Sequence, residues 1–414
     1  MLREAVEAWQ EATSTGNNLD SDQILPDECT LANLAHDLPQ CESLPQCHVL
    51  EVLSLCLKKI ACTNRGLQDK GAIQQLASHT AELLGRSSTS HSVDSLTLAE
   101  KALDVLRCLV IDFAAPLDGK YLVCVAAYTD SQDAWTTPGA ASSSEDILRN
   151  SLNDETRQEF IASAVLEYFI RPVFSRATSN RITSTGRRAY FINDDQSQVT
   201  GDSVAGTTES KPWKKTQIHA IAVFAWAVKH ASESLISKSW PLFTPVLLAL
   251  VDDTETKFKK KGLVILYDFL SRCPPHVIGN TGLGEVFEQS VFPSLLSLPG
   301  ITPEAESIQL LGPAYNAIME LAKVWFPTGE IRPAKMRFLI KVLREGILAG
   351  YWHASEYVGI VELLAQMAIP IISQLGPYAV PHLKELLSMF SAIMTDPFLV
   401  SYPTCIQAAA QAKT

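Results

Sequence analysis

The stretch WPLFTPVLLALVDD, residues 240–253, is followed after two residues by TKFKKKGLVILYDFLSRC, residues 256–273. In the second stretch apolar residues recur at intervals of three and four, which predicts an amphipathic helix. The first stretch is apolar over most of its length and ends in two aspartates, which indicates a helix that stops at an acidic turn. The sequence therefore predicts two helices joined by a short connection.

A proline-bearing first helix, aspartates at the turn and lysines early in the second helix are typical of HEAT repeats, whose units span roughly 40–47 residues. Weaker forms of the pattern follow, with helices predicted at 303–326, 332–348 and 356–375. Each helix pair has a broad apolar face that it cannot bury alone, so stacking on its neighbours is expected. We predict an all-α fold, an α-solenoid of HEAT-like helical repeats.

Helical periodicity also dominates the N-terminal half, where helices are predicted at 44–62, 66–85, 92–115 and 153–174. Two stretches rich in Ser, Thr, Asp and Gly, 129–144 and 177–211, interrupt this pattern. Neither composition buries enough apolar surface to offset the entropy of ordering, so we expect both to be mobile insertions. The predicted organisation is an N-terminal helical region (1–176), a flexible polar insertion (177–211) and a C-terminal HEAT-like repeat region (212–414).

The overall composition narrows the class of protein. Hydrophobic residues make up 47% of the 414 residues, which is ample for a buried core. The 34 basic and 45 acidic residues give a net charge of −11, which leaves no positive surplus for a large nucleic-acid-binding or membrane-binding face. No segment reaches the roughly 20 apolar residues that span a bilayer, and the N-terminal residues lack a signal segment. We expect a soluble intracellular protein that binds neither nucleic acid nor membrane.

Motifs for catalysis, cofactors or metals are weak. The stretch GNTGLG at 279–284 approaches a dinucleotide-binding loop, but no predicted strand precedes it and the third glycine is missing. Structural zinc sites typically use closely spaced pairs of ligands. The spacing of Cys41, Cys47, His48 and Cys56 does not give such pairs, and Cys29 lies further upstream. Reduced cysteine in a core is the preferred interpretation, although a Cys/His nucleophilic pair stays open. We expect no catalytic, cofactor-binding or metal-binding residues.

Two sets of charged residues are candidates for binding a partner protein. The first follows the acidic turn into the next helix and comprises Asp252, Asp253, Lys257, Lys260 and Lys261. The second is a basic stripe at helical spacing and comprises Arg337, Lys341 and Arg344. Simple structural roles stay open for both sets, because aspartates at a helix boundary cap the following helix and basic stripes often face solvent.

Residues 240–253 and the helix after them resemble the family of the second Tel-two-interacting protein. The matching features are the proline-rich first helix, the LVDD turn and the KKKGLVILYDFL helix, and the likeness covers roughly residues 213–410. The resemblance implies a non-catalytic subunit of the TTT complex, together with the larger Tel-two-interacting protein and the Tel-two protein. It also implies action with the heat-shock-protein-ninety chaperone system in maturing and assembling phosphatidylinositol-kinase-related kinases, in the cytoplasm and the nucleus.

Two other classes of function stay open. One is a different HEAT-repeat adaptor or a transport receptor, and the other is an all-α enzyme that uses an unrecognised cysteine or metal site. A scaffold in an obligate complex buries on the order of 2,000 Å² or more of largely apolar surface. For the scaffold we therefore expect a continuous exposed apolar patch on the isolated chain.

Overall fold

The computed structural model describes residues 1–15, 29–63, 69–87, 93–175, 211–327 and 333–413. Most of these residues are helical and none of them lies in a β-strand, so the predicted all-α class is confirmed. The described chain forms two compact units. The first unit contains residues 1–175 and 211–230, and the second contains residues 231–413.

The helices predicted at 44–62, 66–85, 92–115 and 153–174 are present in the first unit to within a few residues, and further helices accompany them. In chain order they are α1 (Leu2–Thr15), α2 (Leu31–Asp37), α3 (Gln46–Thr63), α4 (Lys70–Ser87), α5 (Val93–Phe113), α6 (Gly119–Ala126), α7 (Pro138–Ser151), α8 (Asp154–Phe160), α9 (Arg171–Phe174), α10 (Pro212–Lys215) and α11 (Ala220–His230). A 3₁₀ turn (Leu38–Cys41) follows α2, and a π-helical segment (Ile161–Ile170) joins α8 to α9.

Two buried tryptophans place α10 and α11 in the first unit. Trp213 is fully buried and stacks on Phe174, with ring centroids 5.2 Å apart and planes 11° apart. Trp226 meets Phe160 edge-on at 6.0 Å. The sequence grouped residues 212–230 with the C-terminal region, but these aromatic contacts pack them with the N-terminal helices. The predicted insertion at 177–211 lies outside the described residues, apart from Lys211.

The prediction of a mobile insertion at 129–144 is wrong, because this stretch is folded. The indole N–H of Trp135 donates a hydrogen bond of 2.9 Å to the carbonyl of Ala127. The Thr137 hydroxyl oxygen caps α7 by accepting a hydrogen bond from the backbone N–H of Ala140 at 3.1 Å. Ser144 is buried where α7 packs against α5. This polar segment is therefore ordered by three features: a capped helix, an aromatic anchor, and small residues where two helices pack closely.

The helices predicted at 256–273, 303–326, 332–348 and 356–375 are present in the second unit to within a few residues, and the one predicted over 240–253 begins earlier, at Glu233. In chain order the helices of this unit are α12 (Glu233–Val251), α13 (Thr256–Arg272), α14 (Pro275–Thr281), α15 (Leu283–Leu295), α16 (Glu304–Trp325), α17 (Pro333–Lys341), α18 (Ala349–Ala354), α19 (Val358–Leu375), α20 (Leu383–Thr395) and α21 (Pro403–Lys413). A π-helical segment (Val342–Leu348) joins α17 to α18. Two 3₁₀ turns, Gly376–His382 and Pro397–Ser401, flank α20.

The pair α12–α13, predicted from residues 240–273, lies at the centre of the second unit. Phe269 of α13 contacts Phe243 of α12 at 5.6 Å and Phe287 of α15 at 6.3 Å between ring centroids. Gly262 sets the closeness of the pair, because a Cβ at this position would lie 2.7 Å from the Leu250 Cβ and 2.8 Å from its carbonyl carbon. Helix α13 also packs on α16, and α12 also contacts α15.

Two helical stretches in the described part of the second unit are long and apolar enough to cross a membrane by length and composition. They are Glu233–Val251 and Val358–Thr395. In the most apolar part of each stretch, 50% and 39% of the residues, respectively, are buried within the protein. Core helices of soluble proteins pass the same test, so these stretches are weak evidence for a membrane span.

We predict that Gly262→Ala lowers the free energy of unfolding by about 1–3 kcal/mol, the usual range for overpacking a core. The added methyl group meets the backbone of Leu250, which cannot rotate away as a side chain could. Urea denaturation followed by circular dichroism measures the effect. Gly279→Ala in α14 is the control, because a Cβ there meets nothing within 4 Å. An equal loss of stability in the two variants would contradict the close contact of α12 and α13.

Candidate partner-binding site

The acidic turn between α12 and α13 has a local structural role. Asp253 is buried, and its carboxylate accepts a hydrogen bond of 2.9 Å from the backbone N–H of Glu255. Asp252 ends α12 by donating its backbone N–H to the carbonyl of Leu248 at 2.9 Å, and its side chain is exposed. Of these two predicted residues, only Asp252 therefore presents its side chain to solvent.

The predicted lysines of α13 are distributed along the first turns of the helix. The Lys257 ammonium lies 3.2 Å from the Glu255 carboxylate and 4.5 Å from the centroid of the Phe258 ring. Lys260 and Lys261 are half-buried. None of these residues lines the groove formed by the second predicted set.

The structure brings Arg337 and Lys341 of that second set to one open groove of about 490 Å³ in the second unit. The groove lies between α15, the end of α16 and α17. Its other lining residues are Glu285, Glu288, Gln289, Trp325, Phe326, Ala334 and Phe338. Arg344 is exposed on the π-helical segment that follows α17 and does not line the groove.

Three aromatic rings form one wall of the groove. Trp325 stacks on Phe326 with centroids 5.0 Å apart, and Phe338 packs edge-on to Trp325 at 5.9 Å. Phe326 and Phe338 are buried, whereas Trp325 is half-exposed and offers an apolar surface to the groove. A Cβ at Gly284 would lie 2.4 Å from the Trp325 ring, so this ring packs directly on the start of α15. The glycine stretch at 279–284, whose pattern indicated only an incomplete nucleotide-binding loop, thus positions an aromatic wall.

The two cations that line the groove differ in how they are held. The Lys341 ammonium lies 2.8 Å from the Glu288 carboxylate and 4.3 Å from the centroid of the Phe292 ring. The Arg337 guanidinium is exposed and makes no hydrogen bond or ion pair with the rest of the described chain. Arg337 is therefore the cation that can accept an external anion without first losing a partner.

A second cavity of about 530 Å³ lies on another side of Phe326. Its lining residues are Tyr267, Asn316, Met319, Glu320, Lys323, Phe326, Lys335, Met367, Pro370 and Gln374. Lys323 is paired with Glu320, at 2.8 Å between the ammonium and the carboxylate. This cavity is more apolar than the groove and has flexible methionines in its wall, but no motif in the sequence indicates it.

Exposed apolar side chains cluster on the chain between Gly376 and Tyr402, which forms the two 3₁₀ turns and α20. These side chains are Tyr378, Val380, Leu383, Leu387, Phe398, Val400 and Tyr402, and together they are called the apolar C-terminal surface below. Both turns contact α20, and the opposite face of this helix is buried through Leu386, Met389, Phe390 and Ile393. Phe398 is 82% exposed and Val400 is 73% exposed. Within 376–402 the charged residues are only Lys384, Glu385 and Asp396.

The cysteines considered for chemistry occupy different environments. Cys41 and Cys56 are buried, whereas Cys47 is half-buried with its sulfur 3.9 Å from the carbonyl oxygen of Asp94. Burial raises the pKa of the Cys41 and Cys47 thiols, and a hydrogen bond with Cys29 raises that of Cys56. Among the residues that the structure describes, no group of three or more His, Cys, Asp or Glu side chains is arranged to hold a metal ion.

Comparison with known proteins gives one match. A family model described as the Tti2 family matches residues 121–401. No curated protein and no solved structure matches the chain. The matched region contains both predicted sets of charged residues, the groove and all of the apolar C-terminal surface except Tyr402.

We predict that Phe398→Ser reduces the binding of a hydrophobic fluorescent dye and leaves thermal stability nearly unchanged, within about 0.5 kcal/mol. The ring is mostly in water before the substitution, so little buried area is lost. Dye fluorescence and thermal unfolding of the full chain measure both effects. Phe390→Ser, on the buried face of α20, is the matched control and is expected to destabilise by about 3–5 kcal/mol, as for large core truncations. Equal destabilisation by the two variants would show that Phe398 is part of the core.

Proposed function

Because the chain belongs to the Tti2 family, we propose that it is a non-catalytic scaffold subunit of a TTT complex. In this proposal its helices form a HEAT-like α-solenoid that binds the larger Tel-two-interacting protein and, with it, the Tel-two protein. The assembled complex helps the heat-shock-protein-ninety chaperone system to mature and assemble phosphatidylinositol-kinase-related kinases. We place this activity in the cytoplasm and the nucleus.

The apolar C-terminal surface is the observation that carries the scaffold role. Soluble monomers rarely expose contiguous apolar patches larger than a few hundred Å², and larger patches mark interaction sites. Seven large apolar side chains are exposed within 376–402, in a stretch with very few charges. Stable complexes bury apolar surface of this kind, because its removal from water supplies most of the free energy of association. A permanent protein partner explains both the exposure and the lack of charge.

The fold beneath this surface supports a passive binding mechanism. Leu386, Met389, Phe390 and Ile393 hold α20 on the rest of the second unit without any partner. The exposed residues of α20, Leu383 and Leu387, are therefore already fixed on one side of an ordered helix. Binding to a pre-ordered surface costs less conformational entropy than binding coupled to folding.

The test is affinity purification of the tagged full chain from its native cells, with identification of the bound proteins by mass spectrometry. We expect two large helical-repeat proteins in constant proportion, with chaperone components beside them. Recovery of the chain alone, or with transport factors, would contradict the proposal and favour the adaptor or enzyme alternatives.

We predict that the double variant Phe398→Glu, Val400→Glu loses both large partners, because burying two unpaired carboxylates at an apolar interface is strongly unfavourable. The thermal unfolding midpoint of the free chain is expected to stay close to that of the wild type. Ile301→Glu is the matched control, since Ile301 is 94% exposed and lies outside the apolar C-terminal surface. Retention of both partners by the double variant would remove this surface from the proposal.

A further inference from the structure

We propose that Cys29 and Cys56 are a modification site in the first unit, a pair of thiols that a hydroperoxide oxidises to an intramolecular disulfide. A dithiol reductant reopens the bond. The proposal does not depend on the scaffold function, because both residues lie outside the family match at 121–401 and outside the two candidate surfaces of the second unit.

The two thiols are in contact although they lie far apart in the sequence. Cys29 and Cys56 are both free cysteines, and their thiols form a hydrogen bond with each other. Cys56 lies inside α3 and is 1% exposed, whereas Cys29 is 9% exposed. A disulfide forms only between cysteines whose side chains already point towards one another. The contact between these thiols meets that requirement.

The backbone at Cys29 allows the further approach that a covalent bond needs. Cys29 directly precedes Thr30, whose hydroxyl oxygen caps α2 by accepting a hydrogen bond from the backbone N–H of Asn33 at 3.3 Å. Cys29 therefore lies outside the hydrogen-bond ladder of α2, whereas Cys56 is held inside α3. A small adjustment at Cys29 brings the two sulfurs together without breaking either helix.

The surroundings of the pair distinguish the thiol that reacts first. The hydrogen bond from Cys56 lowers the pKa of the Cys29 thiol against the effect of burial, and the charge of Lys59 on α3 lowers it further. The same hydrogen bond raises the pKa of the Cys56 thiol. Because the thiolate is the nucleophile, Cys29 attacks the oxidant and Cys56 reacts second. The small exposure of Cys29 suits an oxidant of the size of hydrogen peroxide.

The oxidation has two balanced steps. The Cys29 thiolate attacks one oxygen of the hydroperoxide, the O–O bond breaks, and the leaving oxygen takes up a proton, which gives a sulfenic acid and water or an alcohol. The Cys56 sulfur then attacks the Cys29 sulfur, the S–O bond breaks, and the hydroxide leaves as water with the proton of Cys56. Two thiols are oxidised and one hydroperoxide is reduced. The disulfide joins the start of α2 to the middle of α3.

The experiment treats the reduced full chain with hydrogen peroxide, blocks the remaining thiols with iodoacetamide and maps disulfides by mass spectrometry of a non-reduced digest. We expect a bond between Cys29 and Cys56 that dithiothreitol reopens. Cys273 is the internal control, because it is also buried and burial raises the pKa of its thiol to about 12. It is expected to stay reduced. This measurement requires no variant, so it does not depend on how a substituted chain folds.

Two substitutions of Cys56 separate its two roles. Cys56→Ser keeps a hydrogen-bond donor but removes the second sulfur, so Cys29 is expected to stop at the sulfenic acid, which dimedone labels. Cys56→Ala also removes the donor and is expected to slow the oxidation of Cys29 several-fold. Cys62→Ser is the matched control on the same helix, since Cys62 is exposed, and it is expected to form the Cys29–Cys56 bond like the wild type.

The proposal is overturned if Cys29 and Cys56 both stay reduced under peroxide, if either of them pairs with another cysteine instead, or if Cys56→Ser gives no sulfenic acid at Cys29. These outcomes are separate from those of the co-purification. A chain that recovers both large partners but forms no Cys29–Cys56 bond removes only the dithiol proposal. A chain that forms the bond but co-purifies alone supports the dithiol and removes the scaffold function.

Discussion

The second unit depends on the close approach of α12 and α13 at Gly262. The missing side chain lets α13 lie against the backbone of Leu250, so that Phe269 reaches the aromatic rings of both neighbouring helices. Helix α16 packs on α13, so its position depends on that of α13. Trp325 is the last residue of α16. The position of the aromatic wall therefore depends on the contact between α12 and α13, although no residue of the wall takes part in that contact.

The two candidate surfaces of this unit differ in physical character. The apolar C-terminal surface offers area and almost no charge, so it suits a partner that stays bound and keeps water away. The groove offers a fixed aromatic ring and limited room beside charged side chains of both signs.

Much of the fold could be predicted because helical periodicity is a local property of the sequence. The helices around residues 240–273 and 303–375 lie close to their predicted positions, and Arg337 and Lys341 were predicted as candidates from their spacing alone. The stretch 129–144 was misjudged because composition does not show that Trp135 anchors the loop and Thr137 caps a helix. An exposed apolar patch was expected, but its position could not be predicted. The reason is that the exposed and buried residues around α20 are equally hydrophobic.

The sequence by itself determined the helical class, the approximate bounds of the helices and the family of the protein. The helical class and the helix bounds follow from residue types at fixed short spacings, which neighbouring residues decide among themselves. Only the tertiary structure decided that Asp253 is buried while Asp252 is exposed, that residues 211–230 belong to the first unit, and that Trp325 and Arg337 share a groove. Such facts depend on which helix faces meet, and this choice minimises exposed apolar area over the whole unit rather than over any one segment.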